Sequence, residues 1–236
     1  MQPWSAMDQR EIPRYGIKEA ACYLGIPMAT LMSWVEGRHY PLKYGGRKFF
    51  KPLIKLSSLL SFYNLVEAHI LKAIRRFYAI HLPEIRSAID YVSRKYPSPH
   101  PLITEQFYTD GKYLLIKKLE QTVEQTIDAS SGGQLGLKPI LDLYLKRIDR
   151  DRYGFPIQLF PFRVGWRETL EEETPRIVVI DPDVSSGRPV LYGTGIMTFI
   201  LSGRHKAGES VEELAKDYGL KNRQIEEAIH YFDATA

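Results

Sequence analysis

The chain is poor in cysteine and in long apolar runs, and each shortage excludes a class of protein. Among 236 residues only Cys22 carries a thiol, which rules out an internal disulfide and a cysteine-rich zinc centre and fits a reducing compartment. No apolar stretch reaches the roughly 20 residues that a membrane-crossing helix needs. The opening "MQPWSAMDQREIPRY" lacks the basic-then-apolar order of a secretion signal. A cytoplasmic protein without membrane contact is therefore expected.

Catalytic signatures are also missing. Six histidines (His39, His69, His81, His100, His205, His230) are scattered, with no H-E-x-x-H or H-x-x-E-H spacing. No G-x-S-x-G elbow, phosphate-binding loop or dinucleotide fingerprint occurs, and "YGTG" is too short to cradle phosphate. Tyr63, Glu67 and His69 fall within two helical turns, where a face of mixed polarity is the simpler reading. Asp181-Pro182-Asp183 reads as a backbone turn rather than a metal-binding pair. The chain is read as a non-enzyme, with no catalytic residue, metal or cofactor.

What remains is ordinary globular material, 44% hydrophobic and 25% charged, in a length that suits two or three small domains. The net charge of +4 is unevenly placed. From Arg38 to Lys55 there are six basic residues (Arg38, Lys43, Arg47, Lys48, Lys51, Lys55) and no acidic one. From Arg176 to Ala236 there are seven basic and nine acidic residues. Attraction to phosphate belongs to the first quarter of the chain.

Hydrophobic spacing predicts a mainly α protein with small β-hairpins, an α+β class. "IKEAACYL" and "MATLMSWVEG" read as short helices, and "HYPLKYGGRKFFKPL" as a hairpin turning tightly at Gly45-Gly46. A long helix follows, capped by Ser57 or Ser58, and then a second helix with Pro83 in its first turn. "LITEQFYTDGKYLLIKK" reads as a hairpin about Asp110-Gly111, "ILDLYLKRIDR" as a helix, "GFPIQLFPFR" as a strand and "WRETLEEETPR" as an acidic linker. The last segment holds the strands "RIVVI" and "VLYGTGI" and then three helices. The expected domains are 1–96, a winged helix-turn-helix with a long helix; 97–175, a mixed α+β module with a linker; and 176–236, a second helix-turn-helix-like unit.

One local pattern occurs twice. Two short helices that cross closely need a small residue on the first helix and a turn residue tolerant of positive φ four positions later. Six positions beyond that, the second helix must supply an aliphatic plug. Ala21, Gly25, Leu31 and Trp34 keep this spacing, and so do Ala215, Gly219, Ile225 and Ala228. On the first copy Met28, Ala29, Thr30 and Ser33 are expected to face outward, beside a basic hairpin with Arg38, Lys43, Arg47 and Lys48. On the second copy the outward residues are Lys221, Asn222, Arg223 and Gln224, good donors for phosphates and base edges. Pairs of helices packed this way also serve protein interaction, and the acidic surroundings of the second copy favour that use there.

The order helix-turn-helix, "GGRKFF" hairpin, long helix, "PEIRSAIDYV" resembles the winged MerR-like DNA-binding modules. The last 60 residues resemble a small antitoxin domain, through Ile177–Ile180, Asp181-Pro182, Gly187-Arg188-Pro189, Gly193-Thr194-Gly195-Ile196 and Gly208-Glu209-Ser210-Val211-Glu212-Glu213-Leu214. The combination looks like a VapB-type antitoxin. The resemblance implies operator DNA, a PIN-like (VapC-type) ribonuclease and a second copy of the chain as partners. It also implies toxin contact through basic side chains near the antitoxin-like loops: Arg188, Arg204, His205 and Lys206. The family pattern has arginine where this chain has Gly195, and residues 102–175 lie outside the resemblance. The long helix 59–79 is the expected dimer face by the same analogy. A stand-alone MerR-like regulator with a sensing C-terminal half stays open as the alternative.

Overall fold

The computed structural model describes residues 8–41, 45–55, 58–76, 82–107, 113–117, 137–162 and 175–235. Among the described residues helices dominate, accompanied by three small antiparallel strand pairs. The first helix, α1 (Ile17–Leu24), ends at Gly25, whose φ of 58° lets the chain reverse. Gly25 N–H donates to the Cys22 carbonyl and Ile26 N–H to the Ala21 carbonyl at 2.9 Å, a closed left-handed cap. The second helix, α2 (Met28–Val35), follows at once and buries Leu31, Trp34 and Val35. The chain then forms β1 (Arg38–Pro41) and β2 (Arg47–Phe50), with Arg38 opposite Phe50 and Pro41 opposite Arg47. This register makes the connection five residues long, not a tight turn at Gly45-Gly46. Both glycines have positive φ at its downstream end, and Leu42, Lys43 and Tyr44 lie outside the described residues.

The centre of the molecule is α3 (Phe62–Arg76). Its cap is Ser61, not Ser57 or Ser58: the Ser61 hydroxyl accepts the Asn64 N–H, and the Asn64 side chain accepts the Ser61 N–H. Every residue from Leu60 to Leu71 is buried. That corrects the expectation of a dimer face here, because the helix spends its surface inside its own chain. Around it pack α4 (Leu82–Lys95), with Ile85, Ala88, Ile89 and Val92 inward, and α5 (Leu137–Leu145), with Leu141, Tyr144 and Leu145 inward.

The expected hairpin at Asp110-Gly111 is also corrected. Residues 105–107 and 113–117 are helical, and Leu115 and Ile116 are buried side by side. The turn itself lies outside the described residues, as do 118–136 and the acidic linker from 163 to 174. The segment "ILDLYLKRIDR" divides into the end of α5 and the strand β3 (Ile148–Arg150), which pairs with β4 (Pro156–Leu159). Leu159 exchanges backbone hydrogen bonds with Ile180, so this hairpin continues into β5 (Val178–Val179) and β6 (Val190–Leu191).

Three helices complete the chain: α6 (Thr198–Lys206), α7 (Val211–Tyr218) and α8 (Asn222–Thr235). A large apolar core runs from Tyr15 through α3 to Ile180 and takes in residues on both sides of position 96. A second core joins Leu191, Leu201, Leu214, Ile225 and Ala228. Two hydrogen bonds tie the first helical hairpin to the C-terminal segment: Tyr15 Oη donates to the Gly187 carbonyl at 3.0 Å, a buried bond, and Tyr231 Oη to the Tyr23 carbonyl at 2.6 Å, a part-buried one.

Candidate nucleic-acid and protein interfaces

The two helical hairpins are built alike at the backbone. Gly219 has φ 65°, and Leu220 N–H donates to the Ala215 carbonyl at 2.9 Å, as Ile26 does to Ala21. Ala21, Leu31 and Trp34 are buried in the first hairpin, and Ala215, Ile225 and Ala228 in the second. Both sets of small and apolar positions therefore do the packing their spacing implied.

Their outer faces differ. On α2, Met28 is 50% exposed, Ala29 is exposed and Thr30 is half-buried. Ser33, expected to face outward, is only 5% exposed, and its hydroxyl donates to the Thr30 carbonyl. One turn too far along the helix, it faces the chain and is removed from the reading set. Lys221, Asn222 and Arg223 are exposed at the start of α8, whereas the half-buried Gln224 turns back to accept the Lys221 N–H at 3.0 Å. Gln224 is a cap more than an open donor.

The basic hairpin lies directly after α2. Its entry requires Gly37, where a side chain would meet the Phe50 carbonyl at 2.4 Å. Arg38 and Arg47 are exposed, as are Lys51 and Lys55 beyond the strands. Lys43 lies outside the described residues; Lys48 is placed on β2 opposite Tyr40. Phe49 is exposed beside His39, with ring centres 4.8 Å apart. A cationic strand pair with an exposed aromatic, set next to a close helical pair, has the parts needed to hold a phosphate backbone.

The four basic side chains expected at a protein partner are not equivalent. Arg204 bridges α6 and α7 through Glu209 and Asp217, and these partners raise its pKa. Lys206 pairs with Asp233 at 2.8 Å, lowering that carboxyl's pKa. His205 Nδ1 lies 2.8 Å from the Glu209 carbonyl. Arg188 is exposed, stands 5.9 Å over the Phe199 ring and has no carboxylate partner among the described residues. It lines an open groove of about 620 Å³, with Arg14, Tyr15 and Glu19 on one side and Pro182 and Asp183 on the other. Gly195 has open space about its Cβ position and carries no side chain into any site.

Asp181-Pro182-Asp183 is a turn, as read. Asp181 accepts the Asp183 N–H at 2.9 Å and the Gln158 amide at 2.7 Å. Of the helical trio Tyr63, Glu67 and His69, the histidine parts from the other two, and Tyr63 lies with its ring centre 5.4 Å from that of His100. His69 lies 3.1 Å from the Tyr144 carbonyl, and burial pushes its pKa down to about 3. Glu67 instead meets His100, a residue that spacing did not single out. His100 Nδ1 donates to Glu67 at 2.9 Å and Nε2 to Glu11 at 3.2 Å. Burial opposes the imidazolium, but the bonds to Glu11 and Glu67 outweigh it and lift the pKa to about 9. Arg147, equally unforeseen, donates to the Phe160 and Pro161 carbonyls, and burial lowers its pKa to about 10. The His100 partners lie 33 and 89 residues away and those of Arg147 13 and 14, beyond the reach of a local pattern.

Residues 178–232 match the family described as Protein of unknown function (DUF433). The match covers the strand pair β5–β6 and the three helices around the second core. Over nearly its whole length the chain is similar to two proteins of Mycobacterium tuberculosis. One bears the name "Putative antitoxin VapB45"; it is 27% identical over 236 residues, 93% of each chain. The other, "Uncharacterized protein Rv2308", is 24% identical over 240 residues, covering 96% of this chain and 92% of its own. The fold is similar to the X-ray crystal structure of Rv2018 from Mycobacterium tuberculosis, with a TM-score of 0.63 and 26% identity. That likeness covers 92% of this chain and 98% of the other.

Proposed function

We propose that this chain is the cytoplasmic antitoxin of a type II toxin–antitoxin pair. It binds and neutralises a PIN-like ribonuclease and represses its own operon by binding operator DNA as a homodimer. The observation that carries this reading is the likeness, along 93% of both chains, to the Mycobacterium tuberculosis protein named as an antitoxin. Residues 1–96 form the winged helix-turn-helix: the β1–β2 hairpin grips phosphates through Arg38, Lys43, Arg47 and Lys48, while α2 lies in the major groove. Residues 97–175 join this module to the toxin-binding unit, 176–236. Dimerisation doubles the half-site contacts, which one small reading head needs for affinity.

A PIN-like ribonuclease holds its metal with clustered carboxylates, and a guanidinium placed against them blocks the site. Arg188 fits that role best, because Arg204 and Lys206 already neutralise carboxylates of their own chain. The second hairpin, with Glu226 exposed on α8, supports the protein contact rather than the DNA contact.

Co-expression with the product of the adjacent reading frame, followed by size-exclusion chromatography, tests the partnership. A stable complex that Arg188→Glu dissociates is expected. DNA binding without any such complex would leave the MerR-like regulator as the better reading.

A further inference from the structure

We propose that the exposed face of α2 reads thymine through its 5-methyl group, and that guanine is not its target. This specifies the substrate of the DNA-binding reading above and rests on it. The helix, "MATLMSWV", contains no arginine, lysine, asparagine or glutamine. Guanine is read by paired donors to its O6 and N7 atoms, and adenine by an amide that both donates and accepts. Neither can be supplied here. Of the two hydroxyls on α2, that of Ser33 is already used on the Thr30 carbonyl at 2.7 Å, and the half-buried Thr30 offers a single hydroxyl, not the paired groups that guanine or adenine requires. What α2 holds out is hydrocarbon and thioether: Met28, Ala29 and the preceding Pro27 are all exposed.

The apolar group that a duplex displays in its major groove is the thymine methyl. The remaining requirement is a force that brings an uncharged helix to a polyanion. The acid-free run from Arg38 to Lys55 supplies it, with Arg38, Arg47, Lys51 and Lys55 all exposed. Charge beside the helix positions the duplex, and apolar contact on the helix selects within it. The corresponding turn of α8 carries the opposite chemistry, with Lys221, Asn222 and Arg223 exposed among Glu212, Asp217 and Glu226. A duplex read by α8 would therefore differ from one read by α2, and one experiment separates them.

The full-length chain is used to select from a pool of sequence-randomised duplexes. The retained duplexes are then remade with deoxyuridine in place of thymidine. Thymines at fixed positions are expected, with affinity falling about fourfold for each methyl removed, the worth of one buried methylene. Met28→Ala should no longer distinguish the two duplexes. Equal binding of the deoxyuridine duplexes by the parent chain overturns the inference. So does selection of guanines whose 7-deaza replacement abolishes binding, which would pass the reading to α8. Retention of no duplex at any salt concentration is a different failure: it overturns the DNA-binding reading, and this inference with it.

Discussion

His100 is held between Glu67 on α3 and Glu11 of the N-terminal segment, and its raised pKa has a stability consequence. A group with pKa about 9 folded and 6.5 unfolded stabilises fully below pH 6.5 and loses that contribution as pH rises through 9. His69, lowered to about 3, acts in reverse: its neutral form is favoured above pH 6.5, and stability falls as acid forces it to charge. These two groups together place maximum stability near pH 6.5. Urea titrations should show a loss of about 2–3 kcal/mol between pH 6.5 and 9. His100→Gln should remove most of that slope, and an unchanged slope would assign it elsewhere. Gly187 supplies a second test. Its φ is 76°, and an added Cβ would lie 2.1 Å from the Tyr15 hydroxyl, whereas Gly193, with φ 75°, has open space. Gly193→Ala should cost about 1 kcal/mol for the left-handed backbone. Gly187→Ala should cost about 2–4 kcal/mol because overpacking adds to it. Equal losses would mean that Tyr15 can move aside freely.

At the scale of the element, structure was legible where its causes are local. Ala21, Gly25, Leu31 and Trp34 are close in sequence and belong to one helix–turn–helix, so their spacing is legible directly. Three serines within five residues, Ser57, Ser58 and Ser61, compete in sequence for the cap of α3. Only Ser61 has an asparagine three positions on to close the box. Ser61→Ala should therefore cost about 1–2 kcal/mol by chemical denaturation, and Ser58→Ala almost nothing. Asp110-Gly111 misled for a different reason. Asp-Gly favours a turn only locally, whereas residues 113–117 gain more by burying adjacent Leu115 and Ile116 as a helix in the core. Tertiary packing overrode the local pattern there. Ser33 lies one helical face inward of the outward set, and His100 and Arg147 are not legible in sequence because only the folded chain brings their partners near.

Across the whole molecule, the first helical hairpin and the C-terminal unit are joined rather than strung together. Tyr231 on α8 reaches the backbone of α1, Tyr15 reaches Gly187, and Arg14 donates to the Pro182 carbonyl at 2.9 Å. Tyr231→Phe leaves the Tyr23 carbonyl without that donor and should cost about 1–2 kcal/mol, with the unfolding transition still single. Appearance of two transitions would mean that the cores unfold separately. For nucleic acid, Arg47→Ala combined with Lys48→Ala should weaken binding and flatten the salt dependence by about two units in log–log slope. Unchanged binding would move the reading head away from the β1–β2 hairpin. The proposed antitoxin role is tested most directly by titrating the purified full-length chain into the purified product of the adjacent reading frame and following cleavage of RNA. Cleavage should fall to zero at a fixed molar ratio and be restored when Arg188→Glu replaces the parent chain. Cleavage that continues undiminished at excess of the folded chain would contradict the antitoxin function.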